Sequence, residues 1–220
     1  GDFYSAFNNI LAQGHAILGI FISADMSGTC LSALSARERI LQENPAAQIE
    51  ILDSRTNSQA LGLPVIAAAK AAQEGKTLAE VAELARQMIK RMHFYFVPAT
   101  LEYLKKGGRI GGAAALIGSV LNIKPILDVN QGKVAVWEKA RGSRAATERL
   151  LRLLEQESQA RGLKEIVVHH INDPKRASEL AQNLSQRYGQ AVPVMPIGPV
   201  IGLHVGPGTI GFVFCTESAE

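Results

Sequence analysis

Ser27, Gly28 and Thr29 follow an apolar run, Gly19 to Ile22, and precede Leu31, Leu34 and Ile40, which recur at helical spacing. Two hydroxyls flanking a glycine at the start of a helix can hold an anion. The first helical N–H groups have no backbone partner and lie at the positive end of the helix dipole, and Gly28 lets a ligand come close to the main chain. A phosphate or a carboxylate fits that chemistry. In a second reading, Ser27 or Thr29 merely caps its own helix. A third makes Ser27 an acyl-transfer nucleophile, with His204 as base and Asp53 or another carboxylate behind it. The GxSxG spacing of hydrolase elbows is absent, since Asp25 stands two before Ser27 and Thr29 two after.

His204 lies between an apolar run, Pro199 to His204, and the turn Gly206-Pro207-Gly208, so its polar tip is expected at a pocket rim. A lone histidine on a strand also serves as a satisfied structural residue. Gly206, Gly208 and Gly211 match the letters GxGxxG. A dinucleotide fingerprint must follow a strand and open a helix, whereas Phe212-Val213-Phe214 reads as a strand, so nucleotide binding is not expected there. His169 and His170 are neighbours on an expected strand and point to opposite faces. No metal or other cofactor is expected.

The elements that hold these residues follow from pattern. Asp2 to Gln13 reads as a helix with Phe3, Phe7, Ile10 and Leu11 inward, then a strand spans His15 to Ser23 and a helix residues 27 to 43. A strand at Gln48 to Asp53, a polar turn and helices at Ser58 to Gln73 and Leu78 to Arg91 follow, the last with Thr77 and Glu80 as a capping box. Strand and helix in alternation give a parallel layer. After His93 the order changes. A strand at Phe94 to Val97, a short helix at Leu101 to Lys106 capped by Thr100 and a small-residue helix at Ala113 to Leu121 precede a hairpin, Lys124 to Val129 with Val134 to Glu138. Helices at Ser143 to Gln159 and Pro174 to Arg187 surround a strand at Glu165 to Ile171, and three strand-like runs, Val192 to Met195, Pro199 to His204 and Thr209 to Cys215, close the chain. The expected fold class is α/β in two domains. Residues 1–92 form a parallel-sheet α/β/α layer domain, incomplete at its N-terminus, and residues 93–220 an α+β domain with a mixed or antiparallel sheet.

Composition narrows the partners. A formal net charge of +3 over 220 residues, without a dense Lys/Arg run, argues against nucleic acid and against an anionic membrane. Cys30 and Cys215 have neither CxxC nor metal spacing and are expected as reduced thiols. With no signal peptide or spanning segment read, a cytoplasmic location without stable membrane insertion is expected.

Longer motifs add a resemblance. Leu101-Glu102-Tyr103-Leu104-Lys105-Lys106-Gly107-Gly108-Arg109-Ile110, Asn122-Ile123-Lys124-Pro125 and His204 ahead of Gly206-Pro207-Gly208, with MSGT and LDSRTNSQALG upstream, resemble the DegV family of bacterial fatty-acid-binding proteins over nearly the whole chain. The resemblance implies two α/β domains with a long-chain fatty acid buried between them, and a carrier without catalysis of its own that presents the carboxylate to a separate fatty acid kinase subunit. Its carboxylate contacts would be Ser27 with the Gly28 and Thr29 amides, and His204, with Arg109 and Arg141 as charge partners. Arg144 is the alternative to Arg141. The small-residue run from Gly111 to Gly118, with Ala114, Leu116 and Ile117, would wall the acyl chain; close helix packing on a sheet explains the same residues. Burying about 14 methylenes at about 0.8 kcal/mol each supplies roughly 11 kcal/mol before ordering costs, so the tail sets affinity and the polar end sets orientation. The resemblance also implies an upstream segment with a further hydroxyl contact, which would lie before Gly1.

Overall fold

The computed structural model describes residues 1–117 and 123–219. It divides into two compact units, residues 1–57 with 61–90, and residues 58–60 with 91–220.

The first unit is built on two parallel strands, β1 (Ile17–Phe21) and β2 (Ile49–Asp53), paired in register from Ile17 opposite Ile49 to Phe21 opposite Asp53. Successive side chains on a strand point to opposite faces, and both faces are covered here. Ile17, Phe21, Ile49 and Ile51 pack with Phe7 of α1 (Asp2–Leu11) and with Ala33, Ala36 and Ile40 of α2 (Thr29–Glu43). Leu18, Ile20 and Leu52 pack with Ala68 and Ala71 of α3 (Ser58–Gln73) and with Val81 and Ala85 of α4 (Leu78–Lys90). The result is a helix–sheet–helix sandwich. One expectation fails in detail: Ile10, read as inward on α1, is 38% exposed. On α2, Leu31 is 56% exposed, because the helix turns Cys30, Ala33, Ala36 and Ile40 inward. The capping box of α4 forms as expected: the Thr77 amide donates to Glu80 Oε2 at 2.8 Å and the Glu80 amide to Thr77 Oγ1 at 3.4 Å.

The second unit carries a six-stranded mixed sheet in the order β5-β4-β3-β8-β6-β7. Its strands are β3 (Met92–Val97), β4 (Ile123–Asn130), β5 (Lys133–Arg141), β6 (Leu163–His170), β7 (Val194–Pro196) and β8 (Ile210–Thr216). Only β6 and β7 pair in parallel; the remaining pairs are antiparallel. The β4–β5 hairpin closes through Gln131 and Gly132, both at positive φ (47° and 83°), the backbone form that matches strand twist. Helices α6 (Gly142–Arg161) and α7 (Pro174–Tyr188) lay Leu150, Leu154, Leu180 and Leu184 against Ile126, Ile166, Phe212 and Phe214. Cys30 and Cys215 are buried and unpaired, and burial pushes both thiols up.

Three segments depart from the sequence reading. Pro199–Val205 is a helix, α8, not a strand: Gly198 is extended, Pro199 fills the first turn where no N–H is needed, and Gly206 ends it at φ 78°. The β-branched Val200 and Ile201 had the composition of a strand. Gly111–Leu116 is a 3₁₀ helix where an α-helix was expected over Ala113 to Leu121; Gly118, Leu121 and Asn122 lie outside the described residues. Gly111 starts it at φ 51°, where a Cβ would fall 2.1 Å from the Val134 carbonyl oxygen of β5, so backbone lies on backbone. Helix α2 begins at Thr29, leaving Ser27 outside it and Gly28 as its N-cap.

Candidate functional site

In the first unit the turn after β1 is fixed by the turn after β2. The Ser23 amide donates to the Thr56 carbonyl at 2.9 Å and the Ser54 amide to the Phe21 carbonyl at 3.0 Å. Asp53 accepts from the Ala24 amide at 3.3 Å and the Arg55 amide at 2.8 Å. Its carboxylate thus ties the backbone of the two turns together. On this frame Ser27 Oγ stands 2.8 Å from Thr29 Oγ1, and it accepts the Thr29 amide at 3.3 Å. The local-capping reading therefore holds in part, and the Thr29 N–H is already engaged. The two hydroxyls share one bond, which commits one O–H proton and leaves the other for a ligand. Gly28 and Thr29 are exposed, and the Gly28 amide has no acceptor among the described residues. Asn57, not singled out from sequence, sets its Nδ2 3.2 Å from Met26 Sδ, while its Oδ1 is buried without a partner among the described residues.

In the second unit His204 lies on the last turn of α8, against α5 (Glu102–Lys106) and the glycines after it. A Cβ at Gly107 would stand 2.1 Å from His204 Nδ1, so only glycine admits the imidazole here. Nδ1 is buried and has no hydrogen-bond partner among the described residues, a condition that costs free energy until a ligand or water meets it. Arg109 comes to the same glycine: its Nη1 donates to the Gly107 carbonyl at 2.8 Å. Thr209 Oγ1 donates to the carbonyls of Val205 and Gly206 at 2.9 and 2.8 Å and closes α8 before β8 begins. The GxGxxG letters thus lead out of a helix and into a strand, the reverse of a dinucleotide turn.

The other expected residues are more dispersed. Arg141 is the exposed last residue of edge strand β5, opposite Ile123, and Arg144 pairs with Glu148 at 3.0 Å on the exposed start of α6. On the 3₁₀ helix Leu116 is buried and Ala114 exposed, and Ile117, just past its end, is exposed. Among the described residues no group of three or more His, Cys, Asp and Glu is arranged to hold a metal. His169 Nδ1 stands 3.0 Å from the Met195 carbonyl and Nε2 3.1 Å from Ser58 Oγ. A carbonyl only accepts, so Nδ1 carries the proton. Burial, ahead of the Met195 bond that opposes it, holds the pKa of His169 below its usual value. The neutral ring then accepts from the Ser58 hydroxyl.

An α/β protein of two compact units emerges, with hydroxyl donors exposed on one and a buried imidazole nitrogen left open on the other. The family profile described as "Uncharacterised protein, DegV family" matches residues 1–217, and the chain belongs to that family. A DegV domain-containing protein of Clostridium acetobutylicum is 45% identical over 216 residues, which cover 98% of this chain and 76% of that one. A Thermus thermophilus structure described as fatty acid binding of a DegV family protein superposes with a TM-score of 0.86 at 30% identity, over 98% of this chain and 76% of the other. A Bacillus subtilis structure described as DegV, a fatty acid binding protein, gives 0.84 at 28% identity, over 98% and 76%.

Proposed function

We propose that this chain binds a long-chain fatty acid and carries it without catalysing a reaction itself. The observation that carries the reading is the buried, unpartnered Nδ1 of His204 in a fold whose solved relatives are described as fatty acid binding. A carboxylate is acceptor-only when ionised and needs several donors. The proposed set is the Ser27 and Thr29 hydroxyls, the Gly28 amide and His204, with Arg109 and Arg141 as charge partners and Ala114, Leu116 and Ile117 along the acyl chain. The rival hydrolase reading lacks the GxSxG spacing around Ser27, where Asp25 and Thr29 stand in place of the two glycines.

The test is mass spectrometry of an organic extract of the purified chain. Stoichiometric fatty acid supports the proposal and names the chain length; an empty extract from a protein that also takes up no added palmitate or oleate overturns it. Family resemblance extends the proposal to presentation of the carboxylate to a separate fatty acid kinase subunit. Acyl phosphate that forms from ATP, fatty acid and such a subunit only when this chain is added supports the extension. Equal product without it removes the extension and leaves the binding proposal standing.

A further inference from the structure

Strand β5 is an edge of the six-stranded sheet, and its pairing with β4 slips by one residue: Ile126 faces Glu138 while Leu127 faces Val136. Trp137 is the extra residue of that bulge. Bulges re-aim side chains, and this one leaves the indole 49% exposed with its inner side braced by Tyr95, ring centroids 5.3 Å apart at 76°. Trp137 lines a cleft of about 280 Å³ with Glu138, Arg149, Arg152, Leu153 and Gln156. Four of these come from α6 at spacings of three, four and seven, one helix face turned to the bulge.

The charges there are unequal. Arg149 is bridged to Glu138, whereas Arg152 is exposed and has no ion-pair partner among the described residues. Leu153 closes the floor, and exposed Gln156, one turn beyond Arg152, offers an amide donor and acceptor. We infer that this cleft is a second ligand site, taking a small planar aromatic acid whose ring lies on Trp137 and whose single anionic group meets Arg152. The volume sits at the lower edge of small-molecule pockets, which suits one ring system with one acid group. One free guanidinium pairs bidentately with one carboxylate or one phosphate. A flat ring is the body that an exposed indole favours.

Trp137 is the sole tryptophan of the chain, so intrinsic fluorescence excited near the red edge of indole absorption reports on this cleft alone. The probes are phenyl phosphate for a ring phosphate and benzoate for a ring carboxylate, titrated to millimolar concentration into the full chain, with benzyl alcohol and inorganic phosphate as controls. A saturable emission change with phenyl phosphate or benzoate that is at least about fivefold weaker with both controls is expected, and whichever acid responds identifies the anion. Arg152→Ala should weaken that response about tenfold, and Arg152→Lys should restore part of it. No saturable change with either acid, an undiminished response in Arg152→Ala, or inorganic phosphate acting as strongly as phenyl phosphate would each overturn the inference.

Discussion

The Ser27 turn and the His204 corner offer donors in opposite states. At the first, the hydroxyls bond one another at 2.8 Å, the Thr29 amide is taken up by Ser27, and Asp53 ties the surrounding backbone. At the second, α8 and Gly107 hold an imidazole whose buried Nδ1 meets nothing among the described residues. A satisfied donor gains little by exchanging one partner for another, whereas an unsatisfied one gains nearly the whole bond. In the proposed fatty-acid complex the histidine should therefore supply more head-group affinity than the serine.

The sharpest way to break that comparison is His204→Ala. Loss of a hydrogen bond to a charged group is worth about 1.5–3 kcal/mol, so fatty-acid affinity by competition with a fluorescent fatty acid should fall about 10- to 100-fold. The apo protein should keep its thermal midpoint or gain slightly, because an orphaned polar group is removed. Gly107→Ala probes the same corner without touching the histidine. Gly107 has φ −76°, so alanine brings no backbone strain, but its Cβ would fall 2.1 Å from Nδ1 and must displace the ring. A loss of roughly tenfold, with an unshifted unfolding transition, is expected by the same competition assay.

Ser27→Ala should cost less, about 2- to 10-fold for a bond worth about 0.5–1.5 kcal/mol, because Thr29 Oγ1 is then released to donate. A serine effect larger than the histidine effect would reverse the comparison. A separate effect concerns stability alone. His93, stacked on Phe214 at 4.6 Å, has its pKa lowered to about 4 by burial and, secondarily, by Arg161. The unfolded chain binds a proton there that the folded chain refuses between about pH 4 and pH 6.5. Stability is thus full above that window and falls as the pH drops through it. Urea midpoints should decline from pH 7 to pH 5, and His93→Phe should flatten the slope in part, His169 supplying the remainder because its pKa is also lowered.

What the sequence revealed follows from how local each signal is. Helix α3 runs Ser58–Gln73 as read, and the Thr77–Glu80 box and the hairpin of Lys124 to Val129 with Val134 to Glu138 formed as read, because each is decided by residues within a few positions. Pro199–Val205 was misread because two β-branched residues outweighed a proline-first, glycine-last helix signature that was equally present. The buried face of α2 was not legible, because its register follows Cys30, Ala33 and Ala36, small residues that carry little hydrophobic signal. His204 could be chosen from sequence as a donor. Its lack of a partner could not, since that depends on Gly107, nearly a hundred residues earlier.

The two buried cysteines bear on how these experiments can be read out. Neither is paired and both are held in the thiol form by burial, so the folded chain presents a silent background to maleimide and iodoacetamide. A single cysteine placed at an exposed position such as Lys139 should react alone, with the natural sequence otherwise intact. Unexpected labelling at Cys30 or Cys215 would then time the opening of whichever unit contains it, giving each unit its own clock.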